Sequence, residues 1–289
     1  MQNHTSKLMS FLGQALGVPL GAIPLSHCRI IRPYLLEKQE ISTAGTALML
    51  AVPYVMTEDV SHPSRNLSLY AVPKDYHQYF DMLSEILLPR LKELYPNNRF
   101  ALFADHSPIA EVEAAALCGL GMVGDHGLII TKDYGSFVFL AEIITDLTYA
   151  EITEQDVFQQ PDSIPRCEGC GACRKACHGQ CLPESRGTCL SAISQKKGIL
   201  SDEDTALLRA QPLVWGCDTC QTVCPHNRRV IAEKRDTPIA YFRENRICYL
   251  DAEILAHMTE EEFRKRAYAW RGKTTIERNI RILSERRKA

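Results

Sequence analysis

Apolar side chains recur at three- and four-residue steps over residues 5–17, where Leu8, Leu12, Ala15 and Leu16 share a face. They do so more clearly over residues 75–94, through Tyr76, Phe80, Leu83, Leu87, Leu91 and Leu94. That spacing predicts two amphipathic helices. Pro89 falls inside the second, removes a backbone donor and predicts a kink. Residues 45–55 form a nearly unbroken apolar run, the pattern of a buried strand ending at Pro53. Residues 100–104 predict a short strand leading into Asp105, and residues 108–117 a helix with Pro108 in its first turn. Cys118-Gly119-Leu120-Gly121 marks its end. Residues 128–132 and 137–145 predict two strands joined as a hairpin by Asp133-Tyr134-Gly135-Ser136.

Strands and helices therefore alternate to about residue 147, the order of an α/β or α+β domain with helices covering a sheet. Residues 148–166 are polar, contain Pro161 and Pro165, and predict a linker. Helices return after Asn227, with capping-box patterns at Thr259/Glu262 and Thr274/Glu277. From Arg264 to the end there are ten Lys or Arg and two Glu. The expected organisation is an α+β chain of three parts: residues 1–160, 161–230 and a helical basic tail over 231–289.

Composition adds little until the cysteines are counted. The chain has 289 residues, 45% hydrophobic and 24% charged, an ordinary globular balance. A net charge of −2 says nothing about partners. No apolar run reaches the roughly 18 residues of a membrane helix. The stretch Leu8-Met9-Ser10-Phe11-Leu12 lacks a basic lead-in and a cleavage site, so an amphipathic helix is expected there and not a signal peptide. Of 12 cysteines, nine lie between positions 167 and 224. Such crowding without an export signal favours metal ligation over disulfides, and with it a reducing compartment, the cytoplasm.

The spacing is specific. One run is Cys167-x2-Cys170-x2-Cys173-x3-Cys177, the other Cys217-x2-Cys220-x3-Cys224-Pro225, and Cys189 stands between. Two-residue steps place successive thiolates around one corner of a cubane; the longer step sends the next thiolate to the other cluster. By that rule one [4Fe–4S] cluster takes Cys167, Cys170, Cys173 and Cys224, and a second takes Cys177, Cys189, Cys217 and Cys220. Cys181 is left over. Zinc is the alternative, but four cysteines in one such run are hard to place around a single tetrahedral ion. Cys177 is followed by His178 where such motifs usually carry proline, which loosens the turn without removing a ligand. Close clusters form an electron relay, and a relay needs an acceptor.

Three further segments matter together. They are Asp75-Tyr76-His77; Phe103-Ala104-Asp105-His106-Ser107-Pro108 with its continuation through Gly119-Leu120-Gly121 to Gly135-Ser136-Phe137-Val138-Phe139-Leu140-Ala141-Glu142-Ile143; and Trp215-Gly216-Cys217-Asp218-Thr219-Cys220-Gln221-Thr222-Val223-Cys224-Pro225. In collinear order over roughly residues 5–285 they resemble the epoxyqueuosine reductase family. The resemblance implies an N-terminal α/β domain that binds cobalamin, a ferredoxin-like two-cluster domain that feeds electrons to cobalt, and removal of the epoxide oxygen of epoxyqueuosine in tRNA to give queuosine. It implies that Asp105 is the proton donor, near the cofactor with His77, and that Ser191, Gln195 and Lys197 contact the corrinoid. An electron donor such as a flavodoxin or ferredoxin is also implied. From the residues alone, Asp105 reads as a helix N-cap ahead of Pro108, and His77 reads equally as a packing residue.

Three departures bear on the transfer. Val112 stands where the family has arginine after Glu111, and Gly124-Asp125-His126 stands where it has Gly-Lys-Asn, so a cation has become an anion. His126 reads most simply as a surface histidine. The helical-repeat domain with which many members grip tRNA is expected to be missing, leaving weak, salt-dependent contacts from the basic tail. Two other functions therefore stay open: a corrinoid reductase for another substrate, and a two-cluster electron carrier without corrinoid.

Overall fold

A computed structural model describes residues 5–153, 155–182 and 188–286. The chain divides into two compact units, one of Met1–Pro53 and His77–Glu168, the other of Tyr54–Tyr76 and Gly169–Ala289. No helix among the described residues is long and apolar enough to cross a membrane.

In the first unit, α1 (Thr5–Leu16), β1 (Leu20–Pro24), α2 (Pro33–Lys38) and β2 (Thr46–Pro53) precede the excursion into the second unit, which carries the short helix α3 (Thr57–Val60). The chain continues through α4 (Tyr76–Leu94), β3 (Phe100–Phe103), α5 (Glu111–Leu117), β4 (Gly121–Val123), β5 (Ile129–Thr131), β6 (Val138–Thr145) and α6 (Tyr149–Thr153). The main sheet has the order β1-β2-β6-β3, antiparallel throughout. Every residue of β2 is buried, as a central strand covered on both faces requires. Ala47, Met49 and Ala51 face α5, whose Ala114, Ala115 and Ala116 are all buried. Three small residues in a row let that helix lie close to the sheet. Leu48, Leu50 and Val52 alternate to the opposite face and are also buried.

Several expectations need correction. Residues 128–132 and 137–145 are not a hairpin: β5 pairs with β4, while β6 pairs with β2 and β3. The turn at 131–135 closes on itself, with Thr131 and Gly135 exchanging backbone hydrogen bonds of 2.8 and 3.1 Å, and the chain then leaves for the larger sheet. Helix α5 does end at Leu117 as expected, with Cys118 as its C-cap and Gly119 at φ +85°, while Gly121 at the end of that run opens β4, where an added Cβ would lie 2.2 Å from the Ile130 carbonyl oxygen. The helix expected from residue 108 begins at Glu111, because Pro108 is engaged elsewhere: its carbonyl accepts the Ile31 and Arg32 N–H groups at 2.8 and 3.1 Å. The expected linker contains α6, and its last residues run beside β4, with Val123 donating to the Pro165 carbonyl and Cys167 donating to that of Val123. α4 continues through Pro89.

The second unit is built of short helices: α7 (Ala172–Ala176), α8 (Leu190–Ser194), α9 (Asp202–Arg209), α10 (Thr219–Thr222), α11 (Pro225–Ala232), α12 (Ala240–Arg243), α13 (Ala252–His257), α14 (Glu260–Arg264) and α15 (Lys273–Arg286). Segment 54–76 runs through its core. Asn66 donates to and accepts from the Leu250 backbone at 2.7 and 2.8 Å, and the fully buried Trp215 donates its indole N–H to Tyr70 at 2.8 Å. The Thr259/Glu262 capping box forms, whereas Thr274 lies inside α15 and caps nothing. The tail is not a uniformly solvated basic helix. Arg266 and Arg278 are buried, and Arg278 donates to the Lys196 and Gly198 carbonyls at 2.6 and 2.7 Å. Arg287 and Lys288 lie outside the described residues.

Candidate acid turn and thiol cluster

In the first unit the site grows from the end of β3. The chain bends after Ala104, with the His106 N–H returning to the Ala104 carbonyl at 2.7 Å, and Asp105 adopts φ +63°. Aspartate tolerates this left-handed conformation better than most residues, and such strain persists only where its surroundings impose it. Here they do. Arg32 donates to the Ser107 carbonyl at 2.8 Å, Ala110 donates to the Arg29 carbonyl at 3.0 Å, and the Ser107 hydroxyl receives the Ile109 N–H at 3.0 Å. The Asp105 N–H donates to Glu111 Oε1 at 3.3 Å. With Ala110 as the N-cap of α5, the reading of Asp105 as a helix cap is excluded.

The carboxyl group projects outward, 70% exposed, and His77 Nε2 lies 3.6 Å from its Oδ2. These two sequence-expected residues, 28 positions apart, meet because α4 begins beside the end of β3. Tyr34 and His106 hydrogen-bond at 2.9 Å nearby.

Behind the turn are two acids not singled out by sequence. Glu142 sits on β6 opposite Met49 and Phe103, fully buried on the face that α5 covers. Neither of its oxygens has a hydrogen-bond partner among the described residues, and Ser107 and Glu111 are its polar neighbours. Burial, and then the charge of Glu111, drive Glu142 far above the usual carboxylate range. Burial also pushes Glu111 up to about 7, with Asp105 and Glu142 beside it and the Arg32 guanidinium opposing the shift. The signal was one charged residue in the otherwise apolar run of residues 137–144.

His126 is buried, contrary to the surface reading, and its Nδ1 accepts the Leu128 N–H at 3.2 Å. The neighbouring Asp125 N–H donates to Cys167 Sγ at 3.3 Å.

In the second unit Cys173 lies in α7, Cys177 ends that helix, Cys189 caps α8, and Cys224 caps α11 ahead of Pro225. Cys217 and Cys220 flank Asp218, which is buried and accepts from the Ser68 hydroxyl, the Leu69 N–H at 3.0 Å and Arg65 at 2.6 Å. Gly216 at φ +73° makes room for this: a Cβ there would lie 2.4 Å from that of Ser68. Cys189 is near enough to Cys217, Cys220 and Cys181 for each thiolate to oppose ionisation of the next. Cys181 is buried, 3.4 Å from Cys177, and pushed up to about 12 by burial and then by its two cysteine neighbours. A single zinc ion would draw three or four sulfurs to within about 3.8 Å of one another. No such group of three donors occurs among the described residues.

Ser191 and Gln195 hydrogen-bond to each other at 3.2 Å and are partly exposed; Lys197 is exposed. Sequence reading also missed Ser194 and Asn279. The Ser194 hydroxyl receives the Gly216 N–H at 2.9 Å, and Asn279 binds the Ser194 and Val214 carbonyls at 2.8 Å each.

No family model matches the sequence. Individual proteins do. An epoxyqueuosine reductase of Listeria monocytogenes is 30% identical over 260 residues, covering 84% of this chain and 64% of its own length. One from Synechocystis sp. is 31% identical over 233 residues, covering 78% of this chain and 75% of its own. The epoxyqueuosine reductase structure from Streptococcus thermophilus superimposes with a TM-score of 0.76 at 21% identity, over 99% of this chain and 82% of that one. An epoxyqueuosine reductase carrying an epoxyqueuosine-modified tRNA-Tyr stem loop gives 0.69 at 23% identity, over 96% and 80%. The architecture is thus the mixed α/β fold of these reductases. The chain belongs to the epoxyqueuosine reductase family. It spans about three fifths of the length of the Listeria relative, 64%.

Proposed function

We propose that this chain reduces epoxyqueuosine to queuosine in tRNA, using two [4Fe–4S] clusters and cobalamin. The observation that carries the reading is the Asp105 turn: a strained, hydrogen-bonded loop that holds one exposed carboxyl beside His77. Support comes from the family and from the relative that carries a modified tRNA stem loop.

Removing an epoxide oxygen as water takes two electrons and two protons. Cobalamin would supply the two-electron chemistry at carbon and the clusters would relay the electrons. The residues do the rest. Asp105 would hold a proton on Oδ2 and release it to the departing oxygen. His77, beside that oxygen atom, would orient the carboxyl. Glu111, which accepts the Asp105 N–H, and Glu142 behind it would keep the turn in place.

The donor set fits the clusters. Four thiols of the second unit, Cys177, Cys189, Cys217 and Cys220, sit on one group of turns and would hold one cluster. Cys167, Cys170, Cys173 and Cys224 would hold the other by their spacing. Ser191, Gln195 and Lys197, none of them buried, are available to contact the corrinoid. The exposed part of the basic tail would contact tRNA, and a small flavoprotein or ferredoxin in the cytoplasm would supply electrons.

One observation favours a second reading. Asp125, a carboxylate where a lysine is expected, adjoins Cys167, which suits a corrinoid reductase acting on a substrate without phosphates. Anaerobic reconstitution with iron, sulfide and cobalamin, followed by desalting and a visible spectrum, tests the cofactors. Turnover of epoxyqueuosine-containing tRNA then tests the substrate. Retained corrinoid without turnover moves the assignment to the second reading; no retained corrinoid leaves an electron carrier.

A further inference from the structure

Two four-iron clusters take about eight thiolates, and nine cysteines lie between positions 167 and 224. The ninth is not a stray surface thiol. Cys181 is 3% exposed and its Sγ lies 3.4 Å from Cys177 Sγ. A tight turn makes the contact: the Gln180 N–H returns to the Cys177 carbonyl at 3.0 Å, and Gln180 takes φ +47°. Cys189, expected to ligate the second cluster, adjoins the same pair.

The short separation constrains what the two sulfurs can do. Terminal thiolates on different corners of a cubane each extend outward from their own iron, so they are held well apart. Two sulfurs in contact cannot both bind different irons of one cluster from these positions; they address the same iron. His178 following Cys177, where a proline would stiffen the turn, leaves this segment free to present either one.

We propose that Cys177 and Cys181 are interchangeable ligands to one iron of the second cluster, whose other ligands are Cys189, Cys217 and Cys220. The assignment rests on the two-cluster reading above. Whichever sulfur is not bound stays protonated and donates an S–H···S hydrogen bond to the bound one. Exchange is balanced without any oxidant or reductant: the incoming thiol passes its proton to the outgoing thiolate as one Fe–S bond forms and the other breaks. The hydrogen bond draws electron density from the ligating sulfur and so raises the potential of that cluster.

The test uses the full chain, reconstituted anaerobically, as wild type, Cys177→Ala, Cys181→Ala and the double variant. Iron and acid-labile sulfide per chain are measured, together with the spin signal and midpoint potentials of the reduced clusters. Each single variant should keep the iron of the wild type, about eight atoms, and the double variant should lose half. Cys181→Ala should lower the potential of one cluster and leave the other alone. A Cys177→Ala chain that loses half its iron by itself overturns the proposal, as does a double variant that loses none. Should Cys177→Ala fail to fold, Cys181→Ala still decides: unchanged potentials overturn the proposal. A wild-type chain that takes up no iron overturns the two-cluster reading, and this assignment with it.

Discussion

The Asp105 turn hangs from the end of a strand in a four-stranded sheet whose central strand is buried throughout, and residues 29–32 hold it down by hydrogen bonds. The thiols of the second unit have no such platform. They sit on α7, α8 and α10, of five, five and four residues, and on the turns between them. Helices that short do not form alone in water, because the nucleation cost exceeds what one or two hydrogen bonds return. The first unit can hold its acid with or without a ligand. On the two-cluster reading, the second unit depends on what its sulfurs bind, with buried polar anchors such as Asp218 and Asn279 setting the approximate geometry.

The largest test of that contrast is iron removal. In small metal-held domains, ligand binding contributes folding free energy on the order of 10 kcal/mol. Limited proteolysis of the apo-protein should cut residues 169–230 rapidly while the sheet of the first unit survives. Equal protection of both units would break the comparison.

Next is Asp105→Asn. A lost general acid costs turnover roughly 100- to 10,000-fold, while iron content and Tm should stay at wild-type values because the side chain is 70% exposed. A parallel fall in Tm would mean that the residue is structural.

Asp218→Ala should cost about 4 kcal/mol, because it leaves the Arg65 guanidinium buried without its partner. The loss should appear in urea unfolding of the second unit and in weaker cluster retention, through displacement of Cys217 and Cys220. Unfolding with wild-type stability would remove Asp218 as the anchor.

The smallest effect is a pH dependence confined to the first unit. Glu111 and Glu142 both have folded pKa values above the usual 4.5, Glu111 at about 7. Their contribution is therefore complete below about pH 4.5 and is lost as pH rises through the folded values. For Glu111 the shift corresponds to a loss on the order of 3 kcal/mol between pH 5 and 8. Glu142→Gln, which removes the second ionisable group, should flatten the decline of Tm over that range. An unchanged slope would show that Glu142 does not contribute to the pH dependence.

Local pattern read some of this well. The helices at 5–16 and 76–94 and the buried strand at 46–53 follow from apolar period and run length, and β6 from its apolar run. The cysteine spacings singled out the thiol-rich segment between positions 167 and 224. The errors lie where a distant partner won. Pro108 looked like the first turn of a helix until its carbonyl was taken by residues 31 and 32. β5 and β6 looked like a hairpin until β2 and β3 captured β6.

The sequence by itself determined that the chain is thiol-rich and alternates helices with strands, because periodicity and cysteine spacing are local properties written within a few residues; its collinear motifs carried the resemblance to the family. Only the tertiary structure decided that His77 stands beside Asp105, that Glu111 and Glu142 lie behind it, that Arg278 is buried in a basic tail, and that Cys181 touches Cys177. Those contacts depend on sheet order and on which loop fills which gap, and both are settled by the packing of the whole unit.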